Sequence, residues 1–458
     1  MTPAPILPTR AELRALLALA VPVVLVQVGM MFMGVVDTVM VGHLSAEALA
    51  AVALGNLYFF GVVIFGMGVL MALDPLVAQA VGANDDVAIA RALQRGLLLS
   101  LALAVVAMAL MPPARAVLTW LEQPPTVVPL AHDYVLRTIP GVLPFLAYGV
   151  LRQALQAMGR MRPILLTIVA ANLLNAGLNW VLIFGHWGAP ALGVSGAAWA
   201  TSISRWAMAL LLAALGWPLL HRHLRPWRQD SWALTPLWRM IRLGAGIGGQ
   251  LQLEYTAFGL TGLLMGRLGV DQMAGHQVAL NLASLTYMVP LGVSGAAAVL
   301  VGQAVGRDDA HGARRFARAS LVTGVAFMAS TAILFLSVPR WLAELYSNAA
   351  PAVAVAAMLI PLAGLFQVFD GIQVVAGGIL RGLGDTRAPM IINLLGFWGV
   401  GIPAGLLLGF TAGLGAIGLW WGLVSGLAAV AVILLVRVRN RMRRNLSRVL
   451  IDDHPRTA

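Results

Sequence analysis

Residues 78–86, AQAVGANDD, recur 224 positions further along the chain as residues 302–310, GQAVGRDDA. Gln79 and Gln303 occupy the same place in the two copies. Three other pairs recur in the same chain order at spacings of about 222 to 225 residues: VGHL (41–44) with MGRL (265–268), ALQAMGRMRP (154–163) with ILRGLGDTRAP (379–389), and LGVSGAAWA (192–200) with LGAIGLWWG (414–422). The sequence therefore predicts two halves built on one plan.

The composition indicates a membrane protein. The chain has 458 residues, of which 60% are hydrophobic and 10% are charged, and its mean hydropathy is +0.87. A soluble protein carries about 25% charged residues. Cysteine is absent, which excludes disulfides, thiolate metal sites and cysteine nucleophiles.

Apolar segments long enough to cross a bilayer predict twelve transmembrane helices, six in each half. An even number of helices returns each half to its starting side, so the halves have parallel orientation and substrate is expected between them. We expect an N-terminal lobe at 1–220, a cytoplasmic linker at 221–236, a C-terminal lobe at 237–436 and a basic tail at 437–458. The predicted helices span 13–41, 48–80, 88–111, 127–156, 163–185, 193–220, 237–266, 272–304, 315–338, 351–380, 388–410 and 414–436.

The distribution of charge predicts the orientation. The net charge is +12, and all 30 basic residues are arginine. Most of them fall in loops on one side of the predicted helices, and this asymmetry predicts that both termini and the linker are cytoplasmic. The tail segment RVRNRMRRNLSR (437–448) is expected to contact anionic lipid. No nucleic-acid partner is expected. The protein is expected to be a monomer.

Three acids lie deep in the apolar segments, namely Asp37, Glu254 and Asp370. A charge at such a depth costs about 2.5–3.5 kcal/mol even on lenient scales. The equivalent positions in the other half hold no acid, whereas a requirement of the scaffold would appear in both halves. A functional role is therefore favoured over the alternative, which is a buried structural acid satisfied by its neighbours. The equivalent residues are Thr261, Met30 and Phe145.

Amides and hydroxyls accompany these acids at helical spacing. They could complete the coordination of a bound ion or hydrogen-bond a protonated acid. Asn172, Asn175 and Asn179 form one polar face of the fifth helix, for which attachment between helices is the alternative. The supporting polar residues predicted for the two halves are Asn175, Asn179 and Thr201 in the first, and Gln250, Gln277, Asn281, Gln367 and Gln373 in the second.

These segments together resemble the multidrug and toxic compound extrusion (MATE) family. The resemblance is carried by VDTVMVGHLSAEALAAVALGN (36–56), by the repeated loops quoted above and by the LGVSGAAWAT segment, and it extends over nearly the whole chain. Acids in helices 1, 7 and 10 place it near the NorM-like branch. The resemblance implies a V-shaped bundle of two six-helix lobes that exports organic cations, driven by Na⁺ or H⁺, and a functional bend of helix 1 at Pro22.

Two departures from the family pattern leave the coupling ion open. Some members carry a second acid in helix 5, where this chain has Asn175 and Asn179, and some carry Tyr at the position of Phe366. Na⁺ bound by Glu254 and Asp370 and protonation of the same acids are both compatible with the sequence.

The sequence thus predicts a secondary active antiporter that exports organic, mostly cationic and aromatic compounds. Ionised carboxylates would attract the substrate, and binding of Na⁺ or H⁺ would release it. No cofactor and no enzymatic activity are expected, because the apolar segments hold no His/Glu metal pair and no Ser/His/Asp set. The alternatives are a lipid or oligosaccharide flippase of a related fold and another six-plus-six-helix secondary transporter.

Overall fold

The computed structural model describes residues 8–346 and 348–452. In this part of the chain there are twelve long helices and no β-strand. They are α1 (Arg10–Gly42), α2 (Ala46–Gly82), α3 (Asp86–Leu110), α4 (Val128–Ala157), α5 (Arg162–Phe184), α6 (Val194–Leu224), α7 (Leu234–Leu268), α8 (Val270–Gly306), α9 (Ala310–Ser337), α10 (Ala350–Gly382), α11 (Arg387–Thr411) and α12 (Gly415–Arg443).

The predicted helices form, with ends that agree within five residues except in α12. That helix continues to Arg443, so the first turns of the predicted basic tail are helical. Eleven of the helices in the described ranges are long and apolar enough to cross a membrane. α7 is 35 residues long and is not among them, because Gln250, Gln252 and Glu254 make its middle polar. The protein is therefore an all-α membrane protein, and the count of twelve spans stays a prediction.

The repeated segments adopt the same local structure in both halves. Asn84 and Asp308 have φ values of 54° and 56°, in the left-handed region. The next residue caps the following helix in each case, since Asp85 Oδ1 accepts from Ala88 N at 2.9 Å and Asp309 Oδ1 accepts from Gly312 N at 2.7 Å. The duplication predicted from the sequence is thus present in the backbone. Two further pairs of repeated glycines also share positive φ, Gly159 with Gly384 and Gly193 with Gly415.

The chain divides into two compact units. Among the described residues, the N-terminal unit comprises 25–248 and 450–452. Within it α6 packs against both α4 and α5, and α2 packs against the first part of α4. One apolar core joins the end of α1 to the helices around it, with Val41, Tyr134 and Ile183 at most 1% exposed. This core supports the end of the unit at which Asp37 lies.

Among the described residues, the C-terminal unit comprises 8–24, 249–346 and 348–449. Its centre is α10, which packs against α8, α9 and α12. α11 contains a π-helical stretch, Leu394–Gly401, and lies against α12. The two backbones approach closely there, since a methyl group on Gly401 would be 3.3 Å from Cα of Gly426. The wider π turn brings Gly396 and Gly401, five residues apart, to the same side. Asn393 directly precedes this stretch.

Pro22 lies inside α1, which is helical from Arg10 to Gly42. A proline within a helix removes one backbone hydrogen bond and weakens the helix there. The boundary between the two units falls two residues further on, between Val24 and Leu25. The functional bend at Pro22 stays a prediction.

Candidate cation-coupling sites

Asp37 lies on α1 in the N-terminal unit and is 3% exposed. Both of its carboxylate oxygens are hydrogen-bonded by neutral donors. Oδ1 accepts from Asn179 Nδ2 of α5 at 2.5 Å, and Oδ2 accepts from Thr201 Oγ1 of α6 at 3.0 Å. Three helices therefore meet at this carboxylate, and two of the predicted supporting residues contact it directly.

Asn175 joins the same site through Asn179. Asn179 Nδ2 also donates to Asn175 Oδ1 at 3.2 Å, one helical turn away. Both asparagines are fully buried, and each keeps one side-chain atom without a partner, namely Asn175 Nδ2 and Asn179 Oδ1. Asp37, Asn175, Asn179 and Thr201 together carry five side-chain oxygens. Oxygen ligands of this kind suit a hard cation, and the carboxylate suits a proton.

Asn172 has a different role from the two asparagines that follow it. Its Nδ2 donates to the backbone oxygens of Gly29 at 3.0 Å and Ile168 at 2.8 Å. The first of these bonds fastens α5 to α1. Of the three asparagines on the predicted polar face, this one fits the alternative of helix attachment, whereas Asn175 and Asn179 belong to the carboxylate.

Arg205 on α6 is a buried cation that sequence reasoning did not assign to this site. It is 6% exposed, and its guanidinium lies over the Phe59 ring, 3.9 Å from the ring centroid. Its charge attracts that of Asp37, although the two groups form no ion pair at 4 Å or less in the described chain. The signal that could have revealed it was its position well inside an apolar helix.

Glu254 lies on α7 in the C-terminal unit and is half-buried. Its Oε2 accepts from Gln373 Nε2 of α10 at 3.3 Å. The same nitrogen donates to Asn393 Oδ1 of α11 at 3.0 Å, and Asn393 Nδ2 donates to the backbone oxygen of Pro389 at 2.9 Å. Glu254 is thus held by a short chain of amides on two other helices.

Asp370 lies on α10, three residues before Gln373, and is 7% exposed. No hydrogen bond reaches its carboxylate from the residues that the structure describes. The charge of Glu254 acts on it. Two ionised carboxylates in an apolar setting repel each other, so a bound cation or proton stabilises the pair. Tyr287 of α8 lies near both acids.

The other supporting residues predicted for this unit make no hydrogen bond to the two acids in the described part of the chain. Gln367 is fully buried, and its Oε1 accepts from Thr286 Oγ1 at 2.5 Å. Gln250 lies beside Gly377. Gln277 and Asn281 are exposed on α8, and among the described residues neither of them hydrogen-bonds Glu254 or Asp370.

Aromatic rings pack one turn before Asp370. Phe366 is 3% exposed and makes edge-on contacts with Phe258 and Trp420, with ring centroids 6.0 and 5.9 Å apart. Trp420 in turn contacts His276. Phe366 supplies no oxygen to the site and is instead part of this apolar wall. In the described residues no group of three or more His, Cys, Asp or Glu side chains could hold a metal ion.

Known proteins resemble this chain over nearly its whole length. The MatE family model matches residues 22–181 and 247–407. "Probable multidrug resistance protein NorM" of Mesorhizobium japonicum is 38% identical over 449 residues, covering 95% of each chain. "Multidrug resistance protein NorM" of Burkholderia vietnamiensis is 39% identical over 435 residues, covering 92% of each. The crystal structure of the eukaryotic MATE transporter AtDTX14 has the same fold, with a TM-score of 0.87 at 22% identity and coverage of 94% of this chain and 96% of that one. With its duplicated helical fold and both halves matched, the chain belongs to the MatE family of transporters, close to the NorM-like members.

Proposed function

We propose that this protein is a secondary active multidrug efflux antiporter, which exports organic, mostly cationic and aromatic compounds in exchange for Na⁺ or H⁺. The observation that carries the proposal is Asp37, a 3%-exposed acid held only by neutral side-chain donors. A carboxylate without a fixed ion pair is able to exchange one positive partner for another. The names of the relatives, multidrug resistance proteins, support the same function.

Exchange follows from the binding of either cation to the same carboxylates. The ionised acids attract a cationic substrate, and Na⁺ or H⁺ neutralises them and weakens that attraction. In the C-terminal unit, repulsion between Glu254 and Asp370 favours the binding of one positive partner. Transport then requires neither ATP nor a cofactor, and the protein makes no chemical change in its substrate.

The proposal includes the domain organisation of the protein and its location and orientation in the membrane. Two lobes, 1–220 and 237–436, are joined by the cytoplasmic linker 221–236, and a monomer lies in the bacterial inner membrane with both termini in the cytoplasm. Eleven apolar helices among the described residues and the NorM relatives support a multi-pass membrane protein.

Ethidium efflux from proteoliposomes tests this function, with Na⁺ and H⁺ gradients imposed separately. We expect one of the two gradients to drive ethidium against its own gradient. The control is the triple variant Asp37→Asn, Glu254→Gln, Asp370→Asn in the same lipids, which should show only passive leak. If neither gradient drives ethidium beyond that leak, the antiport mechanism is wrong.

A further inference from the structure

Arg205 is a buried cation that is held by aromatic rings. It lies on α6, one helical turn after Thr201, and is 6% exposed. Its guanidinium carbon is 3.9 Å from the centroid of the Phe59 ring and 5.0 Å from that of the buried Phe145 ring. A methyl group on Gly141 would lie 3.1 Å from its Cδ, so the stem is closely packed. Aromatic faces attract a cation without carrying a charge, so these contacts hold the guanidinium in place and leave its charge uncancelled.

The charge of Arg205 acts on Asp37, and that of Asp37 acts on Arg205. No ion pair of 4 Å or less joins the two groups in the described part of the chain, and Nη1 of Arg205 has no hydrogen-bond partner there. In an interior of low polarity, the interaction between charges extends well beyond contact distance. The site around Asp37 therefore already contains a positive charge before a substrate or a coupling ion arrives.

The C-terminal unit has no such cation at the equivalent position. At the spacing of 222 residues found in the last repeated pair, the counterpart of Arg205 is Leu427, which is fully buried. The duplicated scaffold therefore does not require a charge there. Asp37 and Arg205 together carry no net charge, whereas Glu254 and Asp370 carry two negative charges when both are ionised. A cation should accordingly be attracted less strongly to Asp37 than to the acids of the C-terminal unit.

We propose that Arg205 is a positioning residue for exchange at Asp37, a resident counter-charge that keeps the affinity of this carboxylate for a cationic substrate low enough for release. The inference rests on the proposed function, because it assigns a role within that exchange. Differences in affinity at one site arise mostly from the rate of dissociation. Without the opposing charge of Arg205, Asp37 would therefore hold its cation longer.

Ethidium binding to the purified full-length protein in nanodiscs tests this role. The dissociation constant is measured by fluorescence polarisation at pH 8 in K⁺ buffer without Na⁺. Arg205→Gln should strengthen ethidium binding about tenfold, because it removes a positive charge that opposes the bound cation. In an Asp37→Asn background the same change should alter the dissociation constant by less than about twofold, because ethidium is then bound by the acids of the C-terminal unit alone. A merely structural role of Arg205 does not predict this dependence on Asp37.

Three further variants separate the charge of Arg205 from its shape and from its effect on folding. Arg205→Lys retains the charge and should keep the ethidium dissociation constant within about twofold of the unaltered value. Arg205→Met packs an unbranched stem against the same rings and should reproduce the effect of Arg205→Gln, so the test does not depend on one variant. Arg137→Gln is the matched control, because Arg137 belongs to the same unit and is paired with Asp133 at 2.8 Å. It should leave ethidium binding unchanged.

The role of Arg205 would be overturned by unchanged ethidium affinity in the glutamine and methionine variants. Equal gains in affinity with and without the Asp37 carboxylate would also overturn it, and so would a lysine variant that behaves like the glutamine variant. In proteoliposomes Arg205→Gln should lower both the KM and the maximal rate of ethidium efflux, because a tightly held substrate dissociates slowly.

Failure of this role and failure of the proposed function give different results. Gradient-driven ethidium efflux by the unaltered protein reports on antiport itself, whereas the binding measurements use no gradient. If efflux occurs but the effect of Arg205→Gln does not depend on Asp37, only the role of Arg205 is wrong. If the unaltered protein shows no efflux, antiport is wrong, and with it the contribution of Arg205 to substrate release.

Discussion

Asn179 donates a hydrogen bond of 2.5 Å to Asp37, from α5 to α1, and a second bond from Thr201 occupies the other carboxylate oxygen. Both donors are neutral, so the buried charge of Asp37 is solvated without being cancelled. This arrangement distinguishes Asp37 from an acid that only holds helices together. A structural acid would contribute to stability, whereas an exchanging acid contributes to transport.

Asp37→Asn should fold at least as well as the unaltered protein and export poorly. The new amide can accept from Asn179 and donate to Thr201, whose hydroxyl then accepts instead, and a costly buried charge is removed. We expect an unchanged or higher melting temperature and a more than tenfold loss of ethidium efflux per folded molecule, both measured on one preparation.

Asn172→Leu is the matched control for this prediction. It removes the bond to the Gly29 backbone on α1 and should cost about 1 kcal/mol of stability while efflux per folded molecule is retained. Normal efflux by Asp37→Asn, corrected for folded protein, would exclude the exchanging role of Asp37.

Glu254→Gln and Asp370→Asn should each reduce gradient-driven efflux more than tenfold at nearly normal expression. The charge of one acid acts on the other, so the pair is expected to bind its cation as a unit. For that reason the double variant should be no worse than either single variant. Thr256→Val, at an exposed position on the same helix as Glu254, should transport normally. Full transport by either single acid variant would remove that acid from the mechanism.

The linker 221–236 should be accessible only from the cytoplasm. Because the chain has no native cysteine, a single introduced cysteine can report on accessibility. Ser231 is unsuitable as the reporter position, because it is fully buried and donates to Gln94 Oε1 at 2.8 Å. We therefore choose the exposed residues Gln229 and Pro190. In intact cells an impermeant maleimide should label Pro190→Cys and leave Gln229→Cys unlabelled until the cells are opened. The reverse pattern would contradict the orientation.

Docking of the linker on α3 should survive mild acid and fail only in strong acid. Partial burial of Asp230 disfavours its charge, but the hydrogen bond and charge of Arg91, followed by the charges of Arg228 and Arg95, outweigh this and hold the pKa of Asp230 below its ordinary 3.8. A lowered pKa in the folded state stabilises that state above the ordinary pKa, and the effect is lost as the pH falls through the lowered value.

The contribution of the Asp230 contact to the melting temperature should therefore be constant from pH 8 to 5 and be lost below about pH 4. Asp230→Asn should melt lower at pH 7 and lack that part of the acid dependence. Asp271→Asn, at an exposed position in the C-terminal unit, serves as the control. Identical pH profiles for Asp230→Asn and the unaltered protein would exclude Asp230 as the linker's acid-sensitive contact.

Local pattern predicted the helices and the duplication, because apolar length and helical spacing are properties of short segments. The meeting of Asp37 with Asn179 was expected instead from the single strong acid of that half and from the family resemblance. The partners of the second acid site were harder to predict. Asn393 is connected to Glu254 only through Gln373. This contact joins three helices, and the spacing of residues within one helix does not encode it. Gln277 and Asn281 share a helix face as predicted, but spacing does not determine where that face points, and both are exposed.

Competition between substrate and coupling ion in the purified protein tests the central claim most directly. The dissociation constant of ethidium is measured at rising Na⁺, with K⁺ holding the ionic strength constant, and separately between pH 8 and 6. Because one set of carboxylates binds either cation, a tenfold rise in the coupling ion above its own dissociation constant should weaken ethidium binding about tenfold. The triple variant Asp37→Asn, Glu254→Gln, Asp370→Asn should show no such dependence. An ethidium affinity that changes with neither Na⁺ nor pH in the unaltered protein would contradict the account.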